Sequence, residues 1–503
     1  MSGPARFQIL NHEGKVQEPE DWNASDRPKL WRYHLHYFHD LNARDADDRR
    51  GWHRDLICRW IRENPPAEGI GWDPYPTSLR IVNWIKWSLL DEDHALPEPA
   101  VHSLAIQSRW LESRLEHHLQ GNHLLANAKA LIFAGSFFEG EEGRRWERKG
   151  REVLEREIHE QILPDGGHFE RSPMYHSLVL EDLLDLINVC RSCGRDVPDG
   201  WTRAVRAMKN WLAVMRHPDG EIPFFNDAAF GMAPTPRQVD DYARRLDVPQ
   251  GDSSSEIGPI QDLPDSGYMR VEAGPAVALL DLAPVGPDHL PAHAHADTLS
   301  FELSLERKRL FVNAGTSTYE PGERRQCERG TSAHNTVAVN DEHSSEVWAS
   351  FRVARRARIE EREYRHSGDQ IRVTGSHDGY RRLDGGPLHR RTWSFDQTSM
   401  TVVDRVEGDG ECRLDLYLHV HPEWKTVRTG EDAVAITRPD ASIVSSVQFE
   451  GGDHLTVESG RYAPEFGRVE PATTLRYRTD ARELPVELST VVSWGPANRE
   501  AGA

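Results

Sequence analysis

The stretch 249–260, Pro-Gln-Gly-Asp-Ser-Ser-Ser-Glu-Ile-Gly-Pro-Ile, separates two parts of this 503-residue sequence that have different patterns. Its glycine, proline and serine residues are typical of a connecting segment that has no core of its own. A chain of this length is too long for one ordinary hydrophobic core, so more than one domain is expected. We predict a first domain over 1–250, a linker over 251–265 and a second domain over 266–503.

Before this stretch, apolar residues recur at the three- and four-residue steps of an α-helix. Leu79, Val82 and Ile85 mark one such helix within 77–91. Similar runs predict helices over 29–41, 48–63, 97–118, 122–138, 142–162, 175–193, 200–215 and 236–246. Short breakers separate these runs, as expected of paired antiparallel helices. The first part is therefore predicted to be helical.

After the stretch, the pattern changes to the alternation of β-strands. Leu299, Phe301 and Leu303 alternate with polar residues, and residues 414–418 repeat this pattern. Residues 401–406 and 488–494 are rich in β-branched side chains. Helices followed by strands favour an α+β multidomain fold with segregated domains over an alternating βαβ sheet.

Composition and charge exclude several classes of protein. A hydrophobic fraction of 38% with 28% charged residues is typical of a globular chain. The sequence contains no apolar run of about 18 residues, so no membrane span is expected. A formal net charge of -20 speaks against a nucleic-acid partner. The amino terminus lacks the features of a secretory signal, which predicts a cytoplasmic protein, or a periplasmic one if a leader has been removed.

The first segment that suggests chemistry is 121–127, Gly-Asn-His-Leu-Leu-Ala-Asn, at the start of a predicted helix. Asn122 has a structural alternative as the helix N-cap, which stabilises by about 1 kcal/mol. A helix start also binds anions, because its free amides and its dipole point there. Asn122 and His123 are therefore candidates to hydrogen-bond a carboxylate together.

The second segment is 163–176, in which a Pro-Asp-Gly-Gly turn ends one predicted helix and Tyr175 begins the next. Polar side chains are unusually dense here and are costly to bury without a use. They are His168, Glu170, Arg171, Tyr175 and His176. A tyrosine at a helix start more often serves packing than catalysis, and that alternative stays open for Tyr175.

The third segment is 291–297, Pro-Ala-His-Ala-His-Ala-Asp, which leads into a predicted strand over 298–305. Residues two apart on a strand share a face, so His293 and His295, with Asp297 nearby, could form half of a zinc site. His334 is the leading candidate for a further ligand and Asn313 a weaker one. Surface histidines are the commoner explanation of a lone His-x-His motif.

These three segments, in this order, resemble those of the heparinase II/III-like polysaccharide lyases and the related alginate and oligoalginate lyases. The resemblance extends to 30–38, 72–86 and 462–468. It implies an incomplete (α/α) toroid followed by an antiparallel β-sandwich. It also implies that an Asn-His pair, a tyrosine and a histidine carry out β-elimination on uronic acid residues. By motif match, these residues are Asn122, His123, Tyr175 and His293.

The family resemblance further implies a structural zinc ion held by two histidines and an aspartate. The matching positions are His295, His334 and Asn313, and the amide of Asn313 is a poorer zinc ligand than a carboxylate. Predicted substrate contacts are Arg80, Glu170, Arg171, His176 and Arg329. Arg324 and Arg325 are further cations that could read substrate charge, although arginine on a solvated surface is the commoner case.

The predicted partner is therefore an acidic poly- or oligosaccharide, cleaved to leave an unsaturated uronate end. Sequence does not decide whether Tyr175 or His293 acts as the base, and it does not distinguish a monomer from a dimer. One alternative is a glycoside hydrolase of the same toroid shape, which needs two carboxyl groups and would use Glu170 and Asp165. The other is a non-catalytic or biosynthetic accessory protein in surface-polysaccharide assembly.

Overall fold

A computed structural model describes residues 1–90, 95–248 and 258–496 of the protein. In these ranges the chain forms two compact units. Unit 1 contains residues 1–162, 179–205 and 242–248, and unit 2 contains 163–178, 206–241 and the described residues from 258 onward. Unit 2 thus takes in two segments that precede the predicted linker.

The predicted linker over 251–265 lies partly outside the described residues, which omit 251–257. Of the remainder, Ile260–Leu263 forms a strand. The domain boundaries at 250 and 266 stay predictions.

The helices follow the sequence periodicity closely. Within the described residues they are α1 (Lys29–Tyr37), α2 (Arg50–Glu63), α3 (Pro74–Ser88), α4 (Glu98–Glu112), α5 (Gly121–Phe137), α6 (Gly140–Gln161), α7 (Pro173–Ser192), α8 (Asp199–Met215), α9 (Pro236–Arg245) and α10 (Glu323–Arg329). The first nine confirm the nine predicted helices, with ends that differ by a few residues. The short helix α10 was not predicted, because its sequence is charged and has no apolar repeat.

Unit 1 is held together by large aromatic side chains and close helix contacts. Trp60, Trp84 and Trp87 are fully buried in it, as expected for wide side chains that fill the space between packed helices. α5 is buried along most of its length and packs on α6. At Gly150 an added Cβ would lie 2.8 Å from the backbone oxygen of Ala128, so glycine permits this close approach.

The strands complete the fold. They are β1 (Arg6–Ile9), β2 (His12–Lys15), β3 (Ile260–Leu263), β4 (Tyr268–Ala273), β5 (Ala276–Asp281), β6 (Phe301–Leu305), β7 (Lys308–Phe311), β8 (Val337–Val339), β9 (Val347–Trp348), β10 (Arg352–Val353), β11 (Ile359–Ser367), β12 (Gln370–His377), β13 (Leu388–Phe395), β14 (Ser399–Glu407), β15 (Glu411–Cys412), β16 (Leu414–Val420), β17 (Lys425–Gly430), β18 (Ala433–Thr437), β19 (Ile443–Glu450), β20 (His454–Glu465), β21 (Arg468–Arg478), β22 (Arg482–Glu483) and β23 (Val486–Pro496).

Two large antiparallel sheets dominate unit 2. One has the order β20-β21-β16-β7-β6-β5-β4-β3, with β8 also paired to β16, and the other has the order β11-β12-β13-β14-β23-β19-β18-β17. Leu303 and Phe311 from the first sheet and Trp393 from the second belong to one buried core. Helices followed by antiparallel sheets confirm the predicted α+β class. None of the helices in the described ranges combines the length and apolar character that crossing a bilayer requires.

Candidate active site

The Gly-Asn-His segment lies in unit 1, at the beginning of α5. The helix begins at Gly121 and Gln120 occupies the N-cap position, with no side-chain capping bond. Gln120 and Gly121 both have a positive φ of 56°, so the chain bends sharply where it enters the helix. Asn122 is inside the first turn and buried. The alternative explanation of Asn122 as an N-cap is therefore wrong.

His123 is oriented by two neighbours within unit 1. Its Nδ1 lies 3.0 Å from Glu116 Oε1, and its ring stacks on Tyr75 with centroids 4.2 Å apart. Glu116 is itself held by Asn127, whose amide donates to Glu116 Oε2 at 3.0 Å. With Nδ1 facing a carboxylate, Nε2 is the ring nitrogen left for another partner. The His123 side chain is 31% exposed.

Tyr175 and His293 come together in unit 2. Their ring centroids are 3.9 Å apart with an interplanar angle of 31°, and the Tyr175 hydroxyl lies 3.1 Å from that of Tyr319. Tyr175 is in the first turn of α7, where its backbone N–H donates to Ser172 Oγ at 3.2 Å. The structure thus places a phenol and an imidazole from segments more than 100 residues apart in direct contact.

Asp227 fixes the orientation of this histidine. Its buried carboxylate lies 2.9 Å from His293 Nδ1 through Oδ2 and 2.9 Å from His295 Nε2 through Oδ1. Arg325 holds the same carboxylate with both terminal nitrogens, one of them 2.8 Å from Oδ2. A bidentate guanidinium gives both charge compensation and a fixed geometry.

The charge state of Asp227 follows from these contacts. Burial alone would raise the pKa of Asp227, but Arg325 and the hydrogen bonds from His293 and His295 hold it well below its usual range. An ionised carboxylate only accepts hydrogen bonds, so Nδ1 of His293 carries a proton. Neutral His293 therefore has its lone pair on Nε2, and the carboxylate oxygen Oε2 of Glu170 lies 3.9 Å from that nitrogen.

The predicted zinc ligands His295 and His334 face each other, with His295 Nδ1 3.1 Å from His334 Nε2. The outer nitrogens are committed elsewhere, His295 Nε2 to Asp227 and His334 Nδ1 to the Gly330 carbonyl at 2.8 Å. Both partners are acceptors, so two imidazole lone pairs face each other. Burial lowers the pKa of His295 to about 4 and of His334 to about 3, against the opposing effects of Asp227 and of the Gly330 carbonyl.

A third ligand is less well provided for. The Oδ1 of Asn313 accepts from the Asn335 backbone at 3.2 Å, and its buried Nδ2 has no hydrogen-bond partner among the described residues. Asp297 accepts from the Asn226 backbone at 3.0 Å. Within the described ranges, no group of three or more His, Cys, Asp or Glu side chains is placed to hold a metal ion. His295 and His334 are therefore placed to act as two ligands of a cation. The His, Cys, Asp and Glu side chains of the described residues do not supply a third.

The strand predicted over 298–305 is confirmed in part, and it does not extend back to the His-x-His motif. β6 begins only at Phe301, and the preceding residues form turns in which Asp297 O accepts from the Ser300 N–H at 2.8 Å. Leu299 has a φ of 61°, which a strand does not allow. His293 and His295 converge because both reach the Asp227 carboxylate, not because they share a strand face.

Three of the predicted substrate contacts have no exposed surface to offer. Arg80 is fully buried in unit 1, donates to the Gly71 carbonyl at 2.7 Å and lies over the Trp60 ring. His176 stacks on Trp211 with centroids 4.2 Å apart. Arg329 donates to the Ala294 carbonyl at 2.9 Å. Each side chain is used inside the fold, which accounts for its polarity without a substrate.

The other two predicted contacts lie in unit 2 near the His293 cluster. Glu170 is buried and close to His293. Arg171 is 8% exposed and donates to the Ser266 and Phe169 carbonyls. Its φ is 57°, so the loop turns sharply here, two residues before α7.

Sequence reasoning missed Asp227 and Tyr319, and it treated Arg325 only as a cation that could read substrate charge. One signal for Asp227 was available. The pair Asn226-Asp227 lies between the apolar residues 222–225 and 228–230, and a polar pair inside an apolar run needs buried partners. Tyr319 carries no such signal. Burial, with Asp227 nearby, raises its pKa well above its usual range, so Tyr319 is a neutral phenol.

Comparison with known proteins assigns the chain to a family. The model of the heparinase II/III N-terminus matches residues 49–246, and the model of the heparinase II/III-like C-terminal region matches residues 258–495. The chain belongs to the heparinase II/III-like family. This membership confirms the resemblance found in the sequence.

Individual relatives are distant. A heparin-sulfate lyase of Bacteroides stercoris is 25% identical over 71% of this chain and 53% of its own length. A heparin-sulfate lyase of Pedobacter heparinus is 26% identical over 80% of this chain and 64% of its own length. The FtsZ-localized protein C of Caulobacter vibrioides is 25% identical over 69% of this chain and 62% of its own length. The chain thus spans less than two thirds of each of these relatives.

Solved structures share the fold over nearly the whole chain. Heparinase III matches with a TM-score of 0.79 at 18% identity, covering 97% of this chain and 82% of that one. The heparan sulfate lyase of Pedobacter heparinus matches with a TM-score of 0.66 at 20% identity, covering 98% and 81%. These matches confirm the predicted toroid followed by a β-sandwich.

Proposed function

We propose that this protein is a polysaccharide lyase that cleaves a uronate-containing glycan by β-elimination and leaves an unsaturated uronate end. The observation that carries the proposal is the contact between the Tyr175 and His293 rings, with the Asp227 carboxylate hydrogen-bonded to His293 Nδ1. Membership of the heparinase II/III-like family and the similarity to heparin-sulfate lyases support it.

β-Elimination removes the C5 proton of the uronate and expels the oxygen of the 4-linked sugar. The reaction therefore needs one group that takes a proton and one that gives a proton, both close to the same sugar ring. Tyr175 and His293 meet this need, since the rings are in contact and each has an ionisable atom. Asp227 acts through His293, because its hydrogen bond to Nδ1 keeps the lone pair on Nε2.

Two assignments of the proton transfers use the same pair. In the first, His293 Nε2 takes the C5 proton while neutral Tyr175 protonates the leaving oxygen. In the second, a deprotonated Tyr175 takes the C5 proton while a doubly protonated His293 gives its Nε2 proton to the leaving oxygen. The first assignment requires no change of charge at the phenol before the reaction, because free tyrosine is neutral below about pH 10. Whether the C5 proton and the leaving oxygen are syn or anti selects between them.

The carboxylate of the substrate must be neutralised for the C5 proton to become acidic enough. We propose Asn122 and His123 for this role, as donors to the developing enolate. The arrangement within unit 1 supports His123, since Glu116 occupies Nδ1 and leaves Nε2 for another partner. Both assignments rest on motif match and stay predictions.

We also propose that His295 and His334 hold a structural cation, of which zinc is the best candidate given two imidazole ligands. Their facing lone pairs support the proposal. A bound zinc ion would supply fixed positive charge and hold the ring of His295, which contacts Asp227. Metal analysis of the purified protein tests this, with about one zinc per chain expected and none in His295→Ala or His334→Ala.

A non-catalytic accessory protein is the second candidate, and one relative, the FtsZ-localized protein C, is named for its localisation and not for lyase activity. A hydrolase is less well supported, because one of its two candidate acids is used structurally. Asp165 accepts hydrogen bonds from the Ser266 backbone at 2.6 Å, from Ser266 Oγ at 2.8 Å and from the Gly167 backbone at 2.9 Å.

The proposal is tested by incubating the protein with a panel of uronate glycans and following the ultraviolet absorbance of the unsaturated product. At least one glycan should give a signal that Tyr175→Phe and His293→Ala abolish. If no glycan gives a signal while the folded protein still binds one of them, the accessory function replaces the lyase.

A further inference from the structure

The hairpin formed by β9 and β10 carries two exposed aromatic side chains. Trp348 is 55% exposed and Phe351 is 40% exposed. All 15 tryptophans lie within the described residues, and Trp348 alone among them is exposed to this extent. A single exposed aromatic side chain is ordinary, whereas exposed aromatic residues that lie together and adjoin polar groups are a feature of binding sites.

Arg352 lies beside Trp348 on this hairpin. The two residues are directly opposite each other in the antiparallel register, and residues opposite each other on antiparallel strands project to the same side. Arg352 is exposed, and no salt bridge joins it to any of the described residues. The hairpin therefore presents an indole and a guanidinium side by side, without an internal counter-ion for the guanidinium.

The loop between β9 and β10 is held in place by side chains of α10. Arg329 and Gln326 donate to the Ala349 carbonyl at 3.2 and 2.9 Å, and Arg325 donates to the Ser350 carbonyl at 3.0 Å. Arg325 also holds the Asp227 carboxylate. One guanidinium thus links the aromatic hairpin to the carboxylate that orients His293.

Phe351 brings this hairpin next to the proposed catalytic pair. Its ring centroid is 5.9 Å from that of His293 and 5.1 Å from that of Tyr319, while much of the ring stays exposed. A sugar that reacts at His293 would have Phe351 as a neighbour. The exposed surface therefore continues the site and is not a separate patch.

We propose that Trp348, Phe351 and Arg352 form a binding subsite for an acidic pyranose of the glycan, adjoining the sugar that is cleaved. The inference rests on the proposed lyase function and adds the residues that select the substrate. The C–H faces of a pyranose pack on aromatic rings. A guanidinium pairs with a carboxylate or a sulfate through two parallel hydrogen bonds. Either acidic group suits this chemistry, and the experiment below separates the two.

The test measures equilibrium binding by calorimetry in a Tyr175→Phe background, where turnover is absent. The probes are a non-sulfated uronate oligosaccharide and a sulfated one of the same length. Trp348→Ala, Phe351→Ala and Arg352→Ala should each raise the Kd by about tenfold. The effect of Arg352→Ala should shrink with added salt. It should occur with both probes if the guanidinium reads a carboxylate, and only with the sulfated probe if it reads a sulfate.

Matched controls come from β11, where Tyr364 and Arg365 are also an exposed aromatic and an exposed arginine. Tyr364→Ala and Arg365→Ala should leave the Kd within about twofold of the parent. Phe351→Tyr should retain binding, because it keeps the ring. Melting temperatures of all variants check that the fold is unchanged.

Two failures are distinguishable. If the wild-type protein forms unsaturated product and the three hairpin variants bind like the parent, the subsite is refuted and the lyase function stands. If the wild-type protein neither cleaves nor binds either probe, the proposed function fails and the subsite fails with it.

Discussion

His123 in unit 1 and His293 in unit 2 are built on the same plan. Each has Nδ1 facing a carboxylate, Glu116 at 3.0 Å and Asp227 at 2.9 Å. Each ring also lies against a tyrosine, Tyr75 with centroids 4.2 Å apart and Tyr175 with centroids 3.9 Å apart. In both cases the carboxylate and the tyrosine leave Nε2 as the ring nitrogen that can serve a reaction.

The two histidines differ in how their carboxylates are secured. Glu116 is seven residues from His123 and is held by the neutral amide of Asn127. Asp227 is buried, is 66 residues from His293 and 98 from Arg325, and is compensated by a full positive charge. The orientation of His123 is therefore a local property, whereas that of His293 depends on the tertiary fold of unit 2. Substitutions should act on the two histidines with different strength.

The largest effect is expected at the pair itself. His293→Ala and Tyr175→Phe remove proton-transfer groups and should each lower kcat by about 10³-fold, and the melting temperature of each variant checks that it is folded. Initial rates of product formation measure this. His366→Ala, an exposed histidine on β11, serves as the control, and an equal loss there would indicate a global defect.

Substitutions of the two carboxylates that orient the histidines should have the next largest effects on kcat. They test whether His293 depends on its carboxylate more than His123 does. Asp227→Asn should lower kcat by about 10²-fold, because the amide can donate to Nδ1 and favour the wrong tautomer. Glu116→Gln should lower it only about tenfold, because His123 is partly exposed and water can replace the bond. Nitrogen NMR of the imidazoles reports the tautomers, and equal effects of the two variants would contradict the distinction.

The same two variants should also differ in their free energy of unfolding. Asp227→Asn leaves the buried Arg325 without its counter-charge and should lower the free energy of unfolding by about 3–5 kcal/mol. Glu116→Gln removes no such compensation and should cost about 1 kcal/mol. Denaturant titration measures both. A stability of Asp227→Asn equal to that of the wild type would show that Arg325 does not depend on Asp227.

The same contrast explains what the sequence predicts and what it leaves out. The helices of unit 1 follow from local periodicity, as at Leu79, Val82 and Ile85, and α5 begins within one residue of the prediction. Asn122 and His123 are adjacent, so a motif describes them. The His-x-His motif is equally visible, but its conformation is not, because a carboxylate 66 residues away sets it. Asp227, Tyr319 and Arg325 meet only through tertiary packing, which spacing along one chain does not show.

The smallest effect on activity is expected for a substitution of Arg80. Its charge suggested a substrate contact, yet its guanidinium is enclosed by the Gly71 carbonyl, Gln107 and the Trp60 ring. Arg80→Met should therefore lower the melting temperature by several degrees, as about 1–2 kcal/mol of lost stability does in a large domain, and leave KM of the folded protein unchanged. A raised KM without loss of stability would instead support the prediction that Arg80 contacts the substrate.

The most direct measurement of the central claim follows the reaction by mass spectrometry in water labelled with oxygen-18. Elimination at the Tyr175–His293 pair adds no oxygen from water, so neither product should gain the label. One of the two products should carry an unsaturated uronate end. Both products should be absent with His293→Ala. Labelled, saturated products would show hydrolysis instead and would contradict the lyase assignment.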